Sequence, residues 1–431
     1  MSFRFKPTEL QHYNWMFNLA PCFPINAKNI NIITDPNKFY NTLCERFRNA
    51  KRRISLASLY IGTGELEKKL LEVTVHNVKH REDFNFKVLL DYQRGTRGKI
   101  NSQTLLQQFV NSIIDKCYLG LYQTPRLQGL WSKVLPSRYN EIVGLQHMKL
   151  YIADNSVILS GANCSNDYFQ QRQDRYIEIQ DDDLANFYCE LIDEVLKYSK
   201  QDARYDSKTT NVEMKKIGQS IEAVIEKWKY QQATKLSSFS DEANTWVFPL
   251  IQMGEFKINQ DEQATCSILS SAPKGSYFRL ATGYFNLTAK YAKILLKDCK
   301  ANISLLMAHP NANGFKGAAG PAGGIPHAYS LIARQFWHQV VDYNQTSRVH
   351  MLEYERPGWT FHAKGLWYYP PGSDVPWATV VGSANLGERS KRLHEECSKL
   401  HDYASECSKD LQQRQTPLWV RATVGLFRTY F

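Results

Sequence analysis

A long internal repeat limits the folds that this sequence can adopt. The apolar segment that ends at Tyr60 recurs in the segment that ends near Tyr284, and the His-Met-Lys tripeptide at His147 recurs as His-Ala-Lys at His362. Each match joins the first half of the chain to the second, and the offset is slightly shorter for the histidines than for the tyrosines. A repeat of this length predicts two homologous domains, because solenoids repeat with periods of only about 20–50 residues.

Apolar runs of strand length alternate with amphipathic helical segments in both halves. In order along the chain, we predict elements at 54–61, 65–80, 86–90, 102–116, 142–152, 157–159, 175–179, 184–198, 211–232, 277–285, 302–307 and 361–369. This alternation is typical of α/β folds in which helices cover a largely buried sheet. We therefore expect two homologous α/β domains, residues 1–235 and 236–431.

The charge balance favours an anionic partner. Lysine and arginine number 53 against 42 aspartate and glutamate residues, which gives a formal charge of +11. Such an excess suits nucleic acid, a membrane surface or a phosphorylated substrate, and charge alone does not choose among them. A hydrophobic content of 43% excludes wholesale disorder. No uninterrupted apolar stretch approaches the roughly 18–20 residues of a membrane span.

The nine cysteines are odd in number, widely spaced and without a CxxC pair. This pattern favours reduced thiols over a disulfide framework or a thiolate zinc site. The acidic run from Asp181 to Asp183 lies at a predicted helix start, where carboxylates interact favourably with the helix dipole. We therefore expect no metal site.

The repeated His-x-Lys pairs are the strongest functional signal. In a strand, residues i and i+2 point to one face, so His147 projects with Lys149, and His362 projects with Lys364. An asparagine follows the next predicted strand in each half, at 163 and 385. If the two halves meet, their imidazoles, ammonium groups and amides converge. This set suits phosphoryl transfer without a metal, because one imidazole can attack phosphorus while the other protonates the leaving oxygen.

These motifs resemble those of the phospholipase D superfamily, whose pattern is close to HxK(x)4D(x)6G[SGA]xN. The first copy fits through His147, Lys149, Asp154, Gly161 and Asn163. The second copy has Tyr369 in place of the aspartate, and the interval between its lysine and its glycine is longer because of a turn-rich insertion at 370–376. The missing carboxylate suggests unequal roles for the two halves. The resemblance implies two phospholipase D-type α-β-α sandwich domains with one active site at their interface.

Longer strings resemble the family of eukaryotic phosphatidylglycerophosphate synthases. They are Leu19-Ala-Pro-Cys-Phe23, Leu90-Asp-Tyr-Gln-Arg-Gly-Thr-Arg-Gly98, Asp154-Asn-Ser-Val-Ile-Leu-Ser-Gly-Ala-Asn163, Arg172-Gln-Asp-Arg-Tyr176 and Pro310-Asn-Ala-Asn-Gly-Phe315. The resemblance implies a transferase that makes phosphatidylglycerol phosphate and CMP from CDP-diacylglycerol and glycerol 3-phosphate, toward phosphatidylglycerol and cardiolipin. It also implies an anionic membrane partner, without cofactor, metal, nucleic acid or obligate protein partner.

The same resemblance implies action on the matrix side of the mitochondrial inner membrane. The first residues, Met1–Lys6, show no apolar core of a signal peptide. A targeting segment would therefore lie outside this sequence.

The resemblance further implies the roles of the site residues. His147 would attack phosphorus through a phosphatidyl-histidine intermediate, and His362 would act as general acid and then as base. Asp154, present in one copy only, favours His147 as the nucleophile, although the repeat leaves this choice open. Oxygen-binding roles fall to Lys149, Lys364, Asn163, Ser383 and Asn385.

Two carboxylates and two arginines complete the candidate set. Asp174 and Glu396 each lie eleven residues after a motif asparagine. In the superfamily such carboxylates bond the far nitrogen of a catalytic histidine, and the alternative is a surface salt bridge. Arg94 and Arg97 lie in a turn after a strand, where a guanidinium could bind glycerol 3-phosphate or simply face solvent.

Several segments have two interpretations. Ile61–Glu65 could cradle a phosphate with its amides, and the Gly-rich segment Asn311–Pro326 is either a substrate loop or a surface loop. We expect the aromatic segments Tyr13–Phe23 and Leu418–Phe431 to pack in the core, and the first could instead insert at a membrane surface. The rival functions are a nucleic-acid phosphodiesterase, favoured by the basic charge, and a scaffold with an inactive site, disfavoured by both intact His-x-Lys pairs.

Overall fold

The computed structural model of the chain describes residues 8–124, 145–200, 211–236, 243–382 and 397–427. Its strands β1 to β19 are Phe23–Ile25, Ile30–Ile33, Arg53–Ser58, Asn85–Asp91, Cys117–Tyr122, Leu150–Ala153, Ser156–Ser160, Arg172–Gln173, Tyr176–Gln180, Thr245–Val247, Gln252–Met253, Ile258–Asn259, Tyr277–Thr282, Asn302–Ala308, Val349–Tyr354, Thr360–Phe361, Gly365–Tyr369, Ala378–Val380 and Ala404–Glu406. Its α-helices α1 to α13 are Met16–Leu19, Pro36–Asn49, Glu65–Lys79, Tyr92–Gly95, Ser102–Val110, Asn166–Gln170, Asp182–Leu196, Asn211–Leu236, Gln260–Ser271, Ala289–Lys293, Ile325–Asp342, Ser408–Gln413 and Leu418–Phe427.

Two compact units divide the chain, and each contains one large sheet. Within the described ranges, the first unit comprises residues between 17 and 170 and between 176 and 260, and the second comprises 8–16, 171–175 and residues between 261 and 427. The short segment 171–175 therefore belongs to the second unit, although its neighbours in sequence belong to the first. The main boundary between these compact units falls after residue 260. The domain boundary at residue 235, which was read from the internal repeat, stays a prediction.

The sheet of the first unit has seven strands in the order β2-β9-β7-β6-β3-β4-β5. Strands β3, β4 and β5 are parallel to one another, and the neighbouring pairs from β3 to β2 are antiparallel. The sheet of the second unit has six strands in the order β18-β17-β13-β14-β15-β19. There, β13, β14 and β15 are parallel, and β17, β18 and β19 pair antiparallel with their neighbours. The predicted α/β class is confirmed.

The same strand order recurs in both sheets, which agrees with the internal repeat. The run β7-β6-β3-β4-β5 matches β18-β17-β13-β14-β15 in order and direction. The register agrees as well, because Ala57 pairs with Leu150 in one sheet and Ala281 pairs with Gly365 in the other. Both alanines precede a matched tyrosine by three positions, and Leu150 and Gly365 both follow a matched histidine by three. The motif lysine immediately precedes the antiparallel strand in both units.

Helices cover both faces of the first sheet. Alternate residues of β3, including Ile54 and Leu56, share a buried apolar cluster with Phe39 of α2 and Leu70 of α3. The opposite face carries Ser55, whose hydroxyl lies 3.5 Å from the thiol of Cys189 on α7. Because strand side chains alternate between faces, α7 lies across the sheet from α2 and α3.

Helix α11 follows the glycine-rich loop of the second unit. It has Pro326 in its first turn, where the missing amide hydrogen costs nothing. Its apolar stripe is buried, and Ala328 and Leu331 pack with Val420 and Val424 of α13. This helix links the loop before it to the C-terminal helix.

Most predicted elements are present, with shifted ends. The strand predicted at 142–152 is observed only from Leu150, and residues 142–144 lie outside the described ranges. The helix predicted at 102–116 ends at Val110 and continues as a short 3-10 turn to Ile113. None of the helices within the described ranges is both long and apolar enough to cross a bilayer.

Of the two interpretations of Tyr13–Phe23, the structure agrees with core packing at Phe23 and excludes its insertion into a membrane. Its side chain is buried, with its ring 5.7 Å from that of Phe187 and 5.9 Å from that of Trp228. Phe17 is partly buried against Phe248. The start of the first unit is therefore held by aromatic packing.

Candidate active site

In the first unit, the His-x-Lys pair lies at the edge of the sheet formed by the carboxyl ends of its parallel strands. Residue 150 pairs with Ala57 near the end of β3, so Lys149 and His147 lie just beyond that edge. Lys149 is buried, and its ammonium group donates to the carbonyl of His147 at 2.9 Å. Open α/β sheets bind ligands at this edge, because the loops that follow the strands meet there.

Asp91 fixes the backbone on both sides of this edge. It is a buried residue at the end of β4, and one carboxylate oxygen accepts the amide of Arg94 at 2.9 Å. Its other oxygen accepts the amide of Gln146 at 3.1 Å. The side chain of Gln146 also reaches the carbonyl of Ser58 at the end of β3. Asp91 thus connects the arginine turn to the residue before His147, a role that sequence reasoning missed.

Asn163 belongs to the same edge. The next residue, Cys164, donates its amide to the hydroxyl of Ser58, and its carbonyl accepts from Gly62 at 2.8 Å. The amide nitrogen of the Asn163 side chain lies 3.3 Å from the hydroxyl of Tyr168. Its oxygen is buried and makes no hydrogen bond within the described part of the chain. The structure therefore brings Asn163 to the edge that holds His147 and Lys149.

The two candidate arginines follow β4. Arg94 lies in the short helix α4, with its guanidinium 4.6 Å from the ring centre of Tyr60. Tyr60 follows β3, the strand whose end lies beside His147. Arg97 is partly buried in the turn beyond α4. Both arginines thus lie at the same edge as the first His-x-Lys pair.

In the second unit, His362 makes a buried contact with Asp174. The distance from Nδ1 of His362 to Oδ2 of Asp174 is 2.6 Å, and the two side chains are only 7% and 0% exposed. The predicted contact between Asp174 and a motif histidine is therefore present, and burial excludes the alternative of a surface salt bridge. The partner is the histidine of the second copy, although Asp174 follows the first copy in sequence.

Segment 171–175 brings this carboxylate to the histidine by adding a short strand. Strand β8 pairs in parallel with β16, and the amide of His362 donates to the carbonyl of Gln173 at 2.8 Å. The amide of Thr360 donates to the carbonyl of Gln171 at 2.9 Å. Because these backbone bonds lie next to residue 174, they fix its side chain beside the imidazole.

Arg175 anchors the same segment beneath β17. Its guanidinium donates to the carbonyl of Val380 and to the hydroxyl of Thr379, and lies 3.9 Å from the ring centre of Trp367. A Cβ at Gly365 would lie 2.0 Å from this guanidinium. The side chain is buried, so Arg175 is a structural anchor and not the surface partner of Asp174.

The opposite side of His362 meets the turn after β13. A Cβ at Gly283 would lie 2.7 Å from the Cα of His362, so only glycine permits this close approach. The ring of Tyr284 lies edge-on to the imidazole, with centres 5.4 Å apart. The carboxyl end of β13 thus supports the histidine, as the carboxyl end of β3 lies beside His147.

Lys364 is the second cation of this unit. Its ammonium nitrogen lies 2.8 Å from Nδ1 and 3.1 Å from Nε2 of His362, and donates to the carbonyl of that residue. Burial lowers the pKa of Lys364 to about 8, against the attraction of Asp174 and with further lowering by Arg172. The ammonium group therefore remains charged near neutral pH and loses its proton above about pH 8.

Asp154 does not lie beside His147. It follows β6, at the end of that strand opposite to Lys149, in a turn where its φ is 53°. Its carboxylate accepts the amides of Lys51, Arg52 and Arg53 at 2.7, 2.8 and 3.2 Å. This arrangement holds the turn against the start of β3. A catalytic role, as predicted for Asp154, would require its carboxylate at the opposite end of that strand, beside His147.

The Ile61–Glu65 loop packs against a carboxylate of the chain itself. The amides of Ile61 and Gly62 donate to the hydroxyl of Ser102 at 3.0 Å and to the carbonyl of Cys164 at 2.8 Å. Glu67 is buried, and a Cβ at Gly62 would lie 2.0 Å from its Oε1. The same oxygen accepts the amide of Asn166 at 2.6 Å. Glu67 therefore occupies the space beside the loop where a phosphate was predicted.

Three predicted site residues lie outside the described residues: Ser383, Asn385 and Glu396. Their roles stay predictions. Within the described ranges, no group of three or more histidine, cysteine, aspartate or glutamate side chains could hold a metal ion.

These features define a duplicated α/β protein with one His-x-Lys pair at the strand edge of each unit. The fold is similar to that of phosphatidylserine synthase from Haemophilus influenzae, with a TM-score of 0.72 and 17% identity over 98% of this chain and 97% of that chain. No family model matches the sequence.

Full-length relatives identify the family. The mitochondrial CDP-diacylglycerol–glycerol-3-phosphate 3-phosphatidyltransferase of Homo sapiens is 37% identical over 99% of this chain and 87% of its own length. The Saccharomyces cerevisiae enzyme of the same name is 32% identical over 89% of this chain and 80% of its length. The chain belongs to the family of CDP-diacylglycerol–glycerol-3-phosphate 3-phosphatidyltransferases, and the family resemblance seen in the sequence is confirmed.

Replacement of Asp154 tests its position away from the chemistry. Asp154→Ala removes three hydrogen bonds to backbone amides, so the free energy of unfolding should fall by about 1–3 kcal/mol. Turnover at a temperature where the variant is folded should stay within about threefold of the unchanged enzyme. Thermal denaturation and steady-state kinetics measure the two effects.

The control for this experiment is Asp182→Ala in the same unit. Asp182 makes an exposed ion pair with Arg52 at 3.2 Å, so its loss should cost less than about 1 kcal/mol. If Asp154→Ala lowered turnover as strongly as His147→Ala without unfolding the chain, Asp154 would belong to the chemistry.

The lowered pKa of Lys364 predicts a basic limb in the pH profile. Because the ammonium form is lost as pH rises through about 8, kcat/KM should fall above that pH. Lys364→Arg keeps its charge to much higher pH. In this variant the limb should move upward, even if the maximum rate is lower. A limb at the same pH in both proteins would assign it to another group.

Proposed function

We propose that this chain transfers a phosphatidyl group from CDP-diacylglycerol to glycerol 3-phosphate, releasing CMP, through a phosphatidyl-histidine intermediate. The family supports the overall reaction. The Asp174–His362 contact is the observation that most supports histidine chemistry, because a buried carboxylate at 2.6 Å stabilises a transient imidazolium. The product would be phosphatidylglycerol phosphate, a precursor of phosphatidylglycerol and cardiolipin.

We propose that His147 attacks phosphorus and that His362 is the general acid for CMP and then the base for glycerol 3-phosphate. An acid must hold its proton until the leaving group departs, and Asp174 favours the protonated form of His362. The sequence argument for His147 depended on Asp154, which lies at the far end of β6. The assignment of His147 as the nucleophile now depends on Asp174, because that carboxylate suits His362 to the role of general acid.

The cations and amides then have distinct tasks. Lys149 and Lys364 would neutralise the negative charge on the nonbridging oxygens of the phosphorus. Asn163, Ser383 and Asn385 would donate hydrogen bonds to the same oxygens. Arg94 and Arg97 would bind the phosphate of glycerol 3-phosphate, since guanidinium forks suit its oxygens. Asp174 is a positioning residue, and we propose the same role for Glu396.

The location is inferred from the relatives and the substrate. The human relative is named as mitochondrial, and we propose that this chain acts on the matrix side of the inner membrane. A lipid substrate requires contact with a membrane surface, and the charge of +11 suits anionic phospholipids. Nucleic acid is not needed to explain the positive charge.

An exchange reaction tests the covalent intermediate. If a histidine takes the phosphatidyl group, CMP leaves first, and the first half-reaction is reversible. The enzyme should therefore exchange labelled CMP into CDP-diacylglycerol without glycerol 3-phosphate. His147→Ala should abolish the exchange, and His362→Ala should retain at most a trace because CMP is a fair leaving group.

The matched control is His338→Ala, which changes an exposed histidine on α11. Its exchange rate should equal that of the unchanged enzyme. If the unchanged enzyme showed no exchange and inverted the configuration at phosphorus, glycerol 3-phosphate would displace CMP directly, and the intermediate would be wrong.

A further inference from the structure

The C-terminal helix α13 begins with two exposed apolar side chains. Leu418 is 81% exposed and Trp419 is 49% exposed. Among the described residues, they are the only exposed large hydrophobic side chains that are neighbours in sequence. Monomeric proteins rarely leave adjacent large apolar groups in water without a function, although single exposed residues are common.

Neighbouring residues of α13 hold the exposed pair in place by packing against α11. Val420 and Val424 of the same helix are buried against Ala328 and Leu331 of α11. A Cβ at Gly324 would lie 2.1 Å from the Trp419 ring, so the indole packs directly on the backbone before α11. The helix therefore buries one stripe and directs the start of its other face to solvent.

An ion pair fixes the segment that leads into α13. The guanidinium of Arg414 donates to both carboxylate oxygens of Glu353, at 2.6 and 2.7 Å, and to the hydroxyl of Ser330 at 3.2 Å. Glu353 belongs to β15 and Ser330 to α11. Bidentate pairs of this kind are geometrically specific, so the base of the exposed pair is tied to the sheet and to α11.

A chain of ring contacts connects this region to His362. Tyr284, which lies edge-on to His362, stacks on Tyr329 of α11 with ring centres 5.4 Å apart. Its ring is also 5.8 Å from that of Phe315 in the glycine-rich loop. Helix α11 thus contacts both the ring beside the motif histidine and the base of the exposed pair.

The sequence around the pair has the charge expected at an anionic lipid surface. Neither residues 310–341 nor residues 411–431 include an aspartate or a glutamate. Arg421 is exposed and follows Leu418 by three positions, which places it on the same side of the helix. Lys316 is exposed in the loop. An indole, a leucine and flanking cations are the groups that insert at the boundary between headgroups and acyl chains.

We infer that Leu418 and Trp419, with Arg421 and the loop around Lys316, form the surface by which the second unit docks on an anionic phospholipid bilayer. This inference deepens the proposed function and depends on it, since the lipid substrate must come from a membrane. Docking there keeps the acyl chains in the bilayer while the headgroup is drawn toward Tyr284 and His362.

Leu418→Glu tests this surface with little risk to the fold. Among the residues that the structure describes, Leu418 is the most exposed large apolar residue, and a carboxylate in the first turn of a helix suits the helix dipole. The experiment is co-sedimentation with phosphatidylcholine vesicles, with and without phosphatidylglycerol. Binding of the variant to the anionic vesicles should weaken by about tenfold or more. Leu418→Trp should bind at least as well as the unchanged chain.

The matched control is Ile114→Glu, which places the same charge on an apolar residue of the first unit that is 70% exposed. Its binding should match that of the unchanged chain. Activity on CDP-diacylglycerol in vesicles should fall with Leu418→Glu. Activity on a short-chain CDP-diacylglycerol dissolved as monomers should not, because docking is then unnecessary.

Three results would overturn the docking surface. Equal vesicle binding by Leu418→Glu and the unchanged chain would place the membrane contact elsewhere, while leaving the proposed reaction intact. A change of oligomeric state in Leu418→Glu, with vesicle binding unchanged, would make the pair a contact between copies. Failure of the unchanged chain to bind vesicles or to form product would overturn both the surface and the proposed function.

Discussion

The contact between Asp174 and His362 is the interaction on which the proposed chemistry of the second unit depends. A carboxylate without exposure to solvent lies 2.6 Å from an imidazole nitrogen. Burying a carboxylate is costly unless hydrogen bonds or a positive partner compensate. The structure compensates it with the imidazole, with the amide of Arg175 at 2.8 Å and with the nearby ammonium of Lys364. The carboxylate therefore orients the imidazole through Nδ1 and stabilises its protonated form, which leaves Nε2 for acid–base chemistry at phosphorus.

The contact requires an unusual arrangement of the chain. Five residues, 171–175, leave the first unit and join the second. Strand β8 secures them by backbone bonds to β16, and Arg175 secures them by its guanidinium beneath β17. The glycines at 283 and 365 allow the two close approaches that this packing needs. The elements around Asp174 thus serve mainly to hold one carboxylate in place.

The sequence predicted the repeat and its motifs well, because both are local patterns. Strand and helix periodicity located β3, α3, β4 and β14 within a few residues, and the offset of the two motifs matches the register of the two sheets. Equal spacing from the motif asparagines also singled out Asp174. Here duplicated spacing predicted the contact between a carboxylate and a motif histidine, which residue type alone does not predict.

Long-range contacts could not be predicted in the same way. The position of Asp154 was not predictable, because its backbone partners, residues 51–53, lie far from it in the sequence. Likewise, no local signal indicates that Glu67 packs against the loop at 61–65 and accepts the amide of Asn166, or that Arg175 is buried. Asp91 was missed because its two partners, Arg94 and Gln146, meet only in the folded sheet.

The most direct test of the central claim is the turnover of Asp174→Asn. This change keeps the size of the side chain and removes the charge that stabilises the imidazolium, so kcat should fall by about 10²–10⁴ with little change in KM or thermal stability. Asp342→Asn, an exposed change in the same unit, should leave kcat unaltered. A kcat within about threefold of the unchanged enzyme, with the fold intact, would show that the buried carboxylate does not serve the reaction.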